Sequence, residues 1–183
     1  MNRETEIILS EIQTVFSKIN DQHVATLVDM FTTPSRIFVL GEGRSGLIAK
    51  SFAMRLMHLG FQVYVVGETI TPSVKAGDVL VAISGSGTTA NVVQTAEKAK
   101  KTGVTVVSVT SDSASPLANL SHQTIDIPAA TKYRKEGEIQ SKQPLSSLFD
   151  QAVHIYFDAV CMALMETQQS GNEDAFQRHS NLE

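Results

Sequence analysis

The chain predicts an α/β fold: a three-layer α/β/α sandwich around a five-stranded parallel sheet, flavodoxin-like in plan. Three observations predict it. Short runs of apolar, mostly β-branched residues recur along the chain: RIFVL at 36–40, FQVYVV at 61–66, VLVAI at 79–83, VTVVSV at 104–109 and QTIDI at 123–127. Such uninterrupted runs mark strands buried on both faces, as in the middle of a parallel sheet. Most are followed by a turn and then by helical periodicity, and strand–helix alternation of this kind gives parallel strands with right-handed crossovers. Finally, 183 residues with 42% hydrophobic and 19% charged side chains suffice for one domain with a sizeable core.

In order, residues 4–19 place Ile7, Ile8, Glu11, Ile12, Val15, Phe16 and Ile19 mostly on one face, an amphipathic helix. Asp21 is positioned to cap a second helix carrying Val24, Leu27, Val28 and Phe31, ended by Thr33-Pro34-Ser35. These two helices can pack on the domain or against another copy of it. The first strand enters GEGRSG, residues 41–46, and then a helix closed by Gly60. Glu42 and Arg44 read either as solvated loop charge or as part of a ligand site with Ser45. The second strand ends at GETITP, where Glu68 either lines a site or faces solvent; His58 reads as a packed helical histidine. Past the third strand and its helix, Gly103 turns the chain into the fourth. Pro116 begins a short helix through Leu120, and the fifth strand is weaker. The single domain, residues 1–183, thus divides into helices at 1–33, a sheet core at 34–128, a loop at 129–144, a long helix at 145–168 and a tail at 169–183. The loop is polar and aperiodic, longer than common connections, which favours a functional role; Lys132 or Arg134 could meet a phosphate there. The tail ends in RHSNLE and is expected to fray.

A net charge of −4 and a pI near 5.7 argue against nucleic-acid binding. No Cys/His cluster has zinc spacing, so no metal is expected, and Cys161 in an apolar helical run reads as a core thiol. No signal peptide and no apolar run long enough for a bilayer is read from the sequence, making no membrane association and a cytoplasmic setting the expectation.

The most informative stretch is ISGSGTT after the third strand. Gly85 and Gly87 allow a tight turn and close approach of backbone amides, while Ser84, Ser86, Thr88 and Thr89 supply hydroxyls. The helix that follows presents its N-terminus, so the loop reads as a phosphate cradle; the plainer reading is a hydroxyl-capped helix start. With no Lys after the second glycine and no GxGxxG, it is neither a Walker loop nor a dinucleotide fingerprint. A phosphomonoester suits it better than a magnesium triphosphate. Two glycine turns at the C-terminal ends of parallel strands converge where such sheets bind ligands.

Residues 41–61, VVGETITP, ISGSGTT, QPLSSLFDQ and the closing RHSNLE together resemble the sugar isomerase (SIS) domain family. Within it they resemble the 6-phospho-3-hexuloisomerases, which interconvert D-arabino-3-hexulose 6-phosphate and fructose 6-phosphate through a cis-enediol. The resemblance implies a sugar phosphate held by Ser84, Ser86, Thr89 and Ser45, and no cofactor. It implies Asp150 as the general base, standing where the family's QPMGSLFEQ has Glu, and His179 as a second site residue. It also implies a homo-oligomer, a tetramer whose tails reach neighbouring sites, and a place in the ribulose monophosphate pathway of formaldehyde fixation. Three positions differ from the family pattern: Asp150 is a methylene shorter than Glu, Leu145-Ser146 replaces Met-Gly, and Thr88 replaces Glu in SGSGET. A non-catalytic phosphosugar-binding regulatory protein, or an isomerase of another sugar phosphate, fits the same motifs.

Overall fold

Alternation along each strand sorts its side chains into two cores, one on each face of the sheet. In the computed structural model, which describes residues 1–20, 22–32, 36–135 and 138–182, Ile37, Val39, Val79, Val81, Ile83, Val107 and Val109 share one cluster with Val15, Leu27, Phe31, Phe52 and Phe157. Phe38, Leu40, Leu80, Ala82 and Val106 form the other, with Val92, Ala96 and Leu117. That is the three-layer arrangement expected. The strands are β1 (Ile37–Gly41), β2 (Val63–Val65), β3 (Val79–Ile83), β4 (Thr105–Thr110) and β5 (Gln123–Asp126). All are parallel, in the order β2-β1-β3-β4-β5. The helices α1 (Arg3–Phe16), α2 (Gln22–Thr32), α3 (Gly43–His58) and α6 (Ser147–Gln168) supply the first core; α4 (Ala90–Lys101) and α5 (Pro116–Leu120) supply the second. The two leading helices therefore pack on the domain itself. The cap expected at Asp21 and the break at residues 33–35 lie outside the described residues.

β3 and α5 keep the predicted bounds. Three elements differ. α3 begins at Gly43, so GRSG is the helix's first turn and not a loop: the Gly46 amide already donates to the Glu42 carbonyl at 3.3 Å. The glycines are there for close approach, since a Cβ on Gly41 would stand 2.8 Å from the Ser45 carbonyl and one on Gly46 equally close to the Gly41 oxygen. The tail is not wholly frayed but forms α7 (Asn172–Gln177), with Asp174 Oδ2 accepting the Gly171 amide at 2.8 Å. Last, α6 corrects the expectation that no segment is apolar and long enough to cross a membrane. By length and composition it is. Its apolar stripe is instead buried on the sheet, from Leu148 through Leu164, and burial there pushes the Cys161 thiol up to about 12.

In this strand order β1 continues to one side and β3 to the other, so the crevice between their C-terminal ends is the topological switch point. The β1–α3 and β3–α4 turns stand on either side of it, and the start of α6 lies beside them.

Candidate active site

A cavity of about 320 Å³ opens at that crevice, lined from α3 by Arg44 and Ser45, from the β3–α4 turn by Ser84, Gly85, Ser86 and Thr89, and from α6 by Asp150. The stretch before α6 adds Thr131, Lys132 and Tyr133, with Leu145 and Ser146. The size falls near the lower end of small-molecule pockets, roughly 300–1,000 Å³.

The turn after β3 is built to leave donors unused. The Ser84 amide is taken by the Val109 carbonyl and the Gly87 amide by the Ser84 carbonyl, each at 3.0 Å. The amides of Gly85, Ser86 and Thr89 have no hydrogen-bond partner among the described residues. Together with the first turn of α4 they present N–H groups and the positive end of a helix dipole to the cavity. The Ser84 and Thr89 hydroxyls are 2.9 Å apart, so one of the pair can still serve a ligand. Two predicted residues play a different part. Gly87 is buried behind the turn: its φ is +63°, and a Cβ there would fall 2.0 Å from Ser115 Oγ. Thr88 is exposed, outside the lining, its hydroxyl 2.9 Å from that of Ser86.

Asp150 occupies the first turn of α6 and is only 3% exposed. Ser45 donates to its Oδ1 at 3.1 Å, and Arg44 Nε stands 3.5 Å from Oδ2. Burial raises the carboxyl's pKa above the ordinary range; the Ser45 hydroxyl and the Arg44 guanidinium pull against it without cancelling it. The result is a desolvated carboxylate with one hydrogen bond, near a row of unpaired donors. That combination can exchange a proton with a carbon acid while a nearby anion is held.

His179 is not brought to this cavity by its own chain. Its ring stacks on His58, centroids 5.2 Å apart, and the neighbouring Arg178 Nη1 donates to the His58 carbonyl at 3.3 Å. His58 ends α3 whereas Ser45 lies in its first turn. Most of the helix therefore lies between the two, a rise of roughly 20 Å from Ser45 to His58 at the usual 1.5 Å per residue. Glu68 is also elsewhere: it pairs with Lys50 at 3.2 Å in a groove beside β2 lined by Met54 and Met57.

Other residues at the site carry little local sign in the sequence. Arg44 is 56% exposed, as a loop charge would be, but it bridges Asp150 and Ser147, donating to Ser147 Oγ at 2.7 Å. Glu42 sits at the rim and accepts from Asn91 Nδ2 at 2.7 Å, tying the starts of α3 and α4 together. Of the two loop cations, Lys132 lines the cavity while Arg134 turns to the Thr131 and Gln143 carbonyls. Sequence spacing had no means of choosing between them.

The SIS domain family model matches residues 30–155. A 3-hexulose-6-phosphate isomerase of Mycobacterium gastri is 41% identical over 177 residues, 97% of this chain and 88% of the relative. The enzyme of that name from Bacillus subtilis is 39% identical, covering 96% and 95% of the two chains. A crystal structure from Methanococcus jannaschii, for which a 3-hexulose-6-phosphate isomerase function was inferred, superimposes with a TM-score of 0.86 at 32% identity over 100% of both chains.

Proposed function

The chain belongs to the SIS domain family, and from that premise we propose that it is a 3-hexulose-6-phosphate isomerase, interconverting D-arabino-3-hexulose 6-phosphate and fructose 6-phosphate. The named relatives support the reaction. The observation that carries the assignment of roles is the buried Asp150 carboxylate facing the same cavity as the unpaired amides after β3.

Moving the carbonyl from C3 to C2 requires removing the C2 proton and returning one to C3. Asp150 takes the proton and the C2–H electron pair becomes the enediol C=C bond. The charge then lies on O3, the O2 hydroxyl proton passes to O3, and the same carboxyl returns its proton to C3 as the C2 carbonyl forms. Its raised pKa brings it closer to the acidity of the group it must deprotonate. Ser45 and Arg44 adjoin both the carboxylate and the developing enediolate, where fixed donors are worth most. The phosphate handle sits on the Gly85, Ser86 and Thr89 amides, with Ser84, Ser86, Thr89 and Lys132 around it. Gly87 and Thr88 shape the turn. Binding energy from that remote dianion orients the reacting carbons.

The 3-keto sugar enters open-chain, because the oxygen that would close its five-membered ring carries the phosphate. Fructose 6-phosphate is cyclic and needs an acid to open it. We assign that role to His179 of a neighbouring subunit in a homotetramer. The distance of His179 from its own chain's cavity supports this, as do the apolar Phe176 and Leu182 left 75% and 94% exposed near it. The cytoplasm and the ribulose monophosphate route are the setting this reading carries.

The test is turnover of fructose 6-phosphate by the intact protein, with binding measured alongside. Isomerisation is expected. Binding without turnover would instead favour a phosphosugar-sensing role. Mixing His179→Ala with Asp150→Asn subunits should restore part of the activity that each lacks alone, and no restoration would contradict a shared site.

A further inference from the structure

Glu11 lies on α1, does not line the cavity, and belongs to a helix face otherwise given to packing. Its carboxylate nonetheless accepts three hydrogen bonds from one short segment of the loop before α6. Ser141 Oγ and the Lys142 amide each donate at 2.7 Å, and Gln143 Nε2 donates at 3.0 Å. Bonds into an ionised acceptor are about twice as strong as neutral ones. Burial works to raise the Glu11 pKa, but the donors from Lys142, Ser141 and Gln143 outweigh it and hold the group below its usual range.

From this clamp a polar path runs inward. The Gln143 carbonyl accepts from Arg134 Nη2, and Arg134 Nη1 donates to the Thr131 carbonyl at 3.1 Å. Thr131 gives its amide and its hydroxyl to Glu138, at 2.9 and 2.7 Å. The Lys132 amide donates to Ser146 Oγ at 3.1 Å, in the turn that starts α6. Thr131, Lys132 and Tyr133 line the cavity, as do Leu145 and Ser146 nearer α6. Among the described residues of this connection the Ala129–Ile139 bridge is the one ladder contact, so its shape depends on these side-chain bonds.

We propose that Glu11 is a positioning residue for substrate binding: by fixing residues 141–143 it fixes the wall at 131–133, so a residue outside the cavity sets the affinity of the site. This rests on reading the cavity as the sugar phosphate site. Asp150 is held independently, from α3, by Ser45 and Arg44. The clamp therefore acts on binding and leaves the proton transfer alone.

The experiment is Glu11→Gln in the full-length protein, which keeps the shape and removes the charge. KM for fructose 6-phosphate should rise roughly tenfold with kcat within about twofold, the scale of a lost bond to a charged group. Lys142 and its neighbours should exchange amide hydrogen faster. A KM unchanged from wild type, or a fall in kcat with KM constant, would overturn the proposal. Should that variant fail to fold, Gln143→Leu breaks the clamp from the loop side and must give the same split. Where both fold, the double variant should be no worse than the poorer single one, and additive losses would contradict a shared path. If the wild-type chain binds fructose 6-phosphate without isomerising it, the proposed function fails while the ratio of dissociation constants still decides the clamp. A ratio of about ten supports it and parity overturns it. A wild type that does not bind this sugar phosphate overturns both.

Discussion

Two turns leave adjacent strands at the same end of the sheet, one with three glycines and the other with two, and they use those glycines differently. In the β1–α3 turn, Gly41 and Gly46 let a strand end and a helix start touch backbone to backbone, which lodges Ser45 and Arg44 against Asp150. In the β3–α4 turn, Gly87 takes a left-handed φ and packs on Ser115, which frees the amides of Gly85, Ser86 and Thr89. The first turn is crowded and charged; the second is neutral and has unspent donors. The difference divides the labour of one cavity: one side governs a carboxylate, the other presents free amides of the kind that suit an anion.

That division is best broken by substitutions on each side. On the carboxylate side, Asp150→Asn should lower kcat by about 10²–10⁴-fold, the usual share of a general base, with the affinity for fructose 6-phosphate kept. A comparable loss of affinity would mean that the two sides are not separate. On the anion side, Ser84→Ala should do the reverse, raising KM about tenfold for the loss of a hydroxyl next to a charged ligand, with kcat little changed. Steady-state kinetics reads both.

A finer test uses pH. The base must be ionised, and burial raises the Asp150 pKa, so kcat/KM should fall as pH drops through a value above the ordinary aspartate range of about 3.9. Ser45 pulls that pKa down. Ser45→Ala should move the acid limb to higher pH, and a shift the other way would contradict the contact. The smallest effect belongs to Thr88→Ala. Thr88 is exposed and touches only Ser86 in the turn, so KM should stay within about twofold of wild type, as surface changes usually do.

How much of this the sequence disclosed depends on the kind of force involved. β3 was legible to the residue because a run buried on both faces has few other interpretations. The turn after it, with its unpaired amides, was legible because glycines and hydroxyls after such a strand act locally. GRSG was misread as a loop, since glycine marks close approach as readily as it marks a turn, and only the packing of Gly41 on Gly46 distinguishes them. Arg44 and Glu11 looked like ordinary charges because their partners, Asp150 and residues 141–143, lie more than a hundred positions away. The position of His179 against His58 is likewise a tertiary fact with no local sign.

The central claim is that Asp150 moves a proton between adjacent carbons of a sugar held by its phosphate. Fructose 6-phosphate incubated with the protein in heavy water reads this directly by proton NMR at C3. The wild-type chain should wash deuterium into C3 as the enediol forms and reverts, and Asp150→Asn should leave C3 protonated over the same time. Deuterium entering C3 at the wild-type rate in that variant would show that another group is the base.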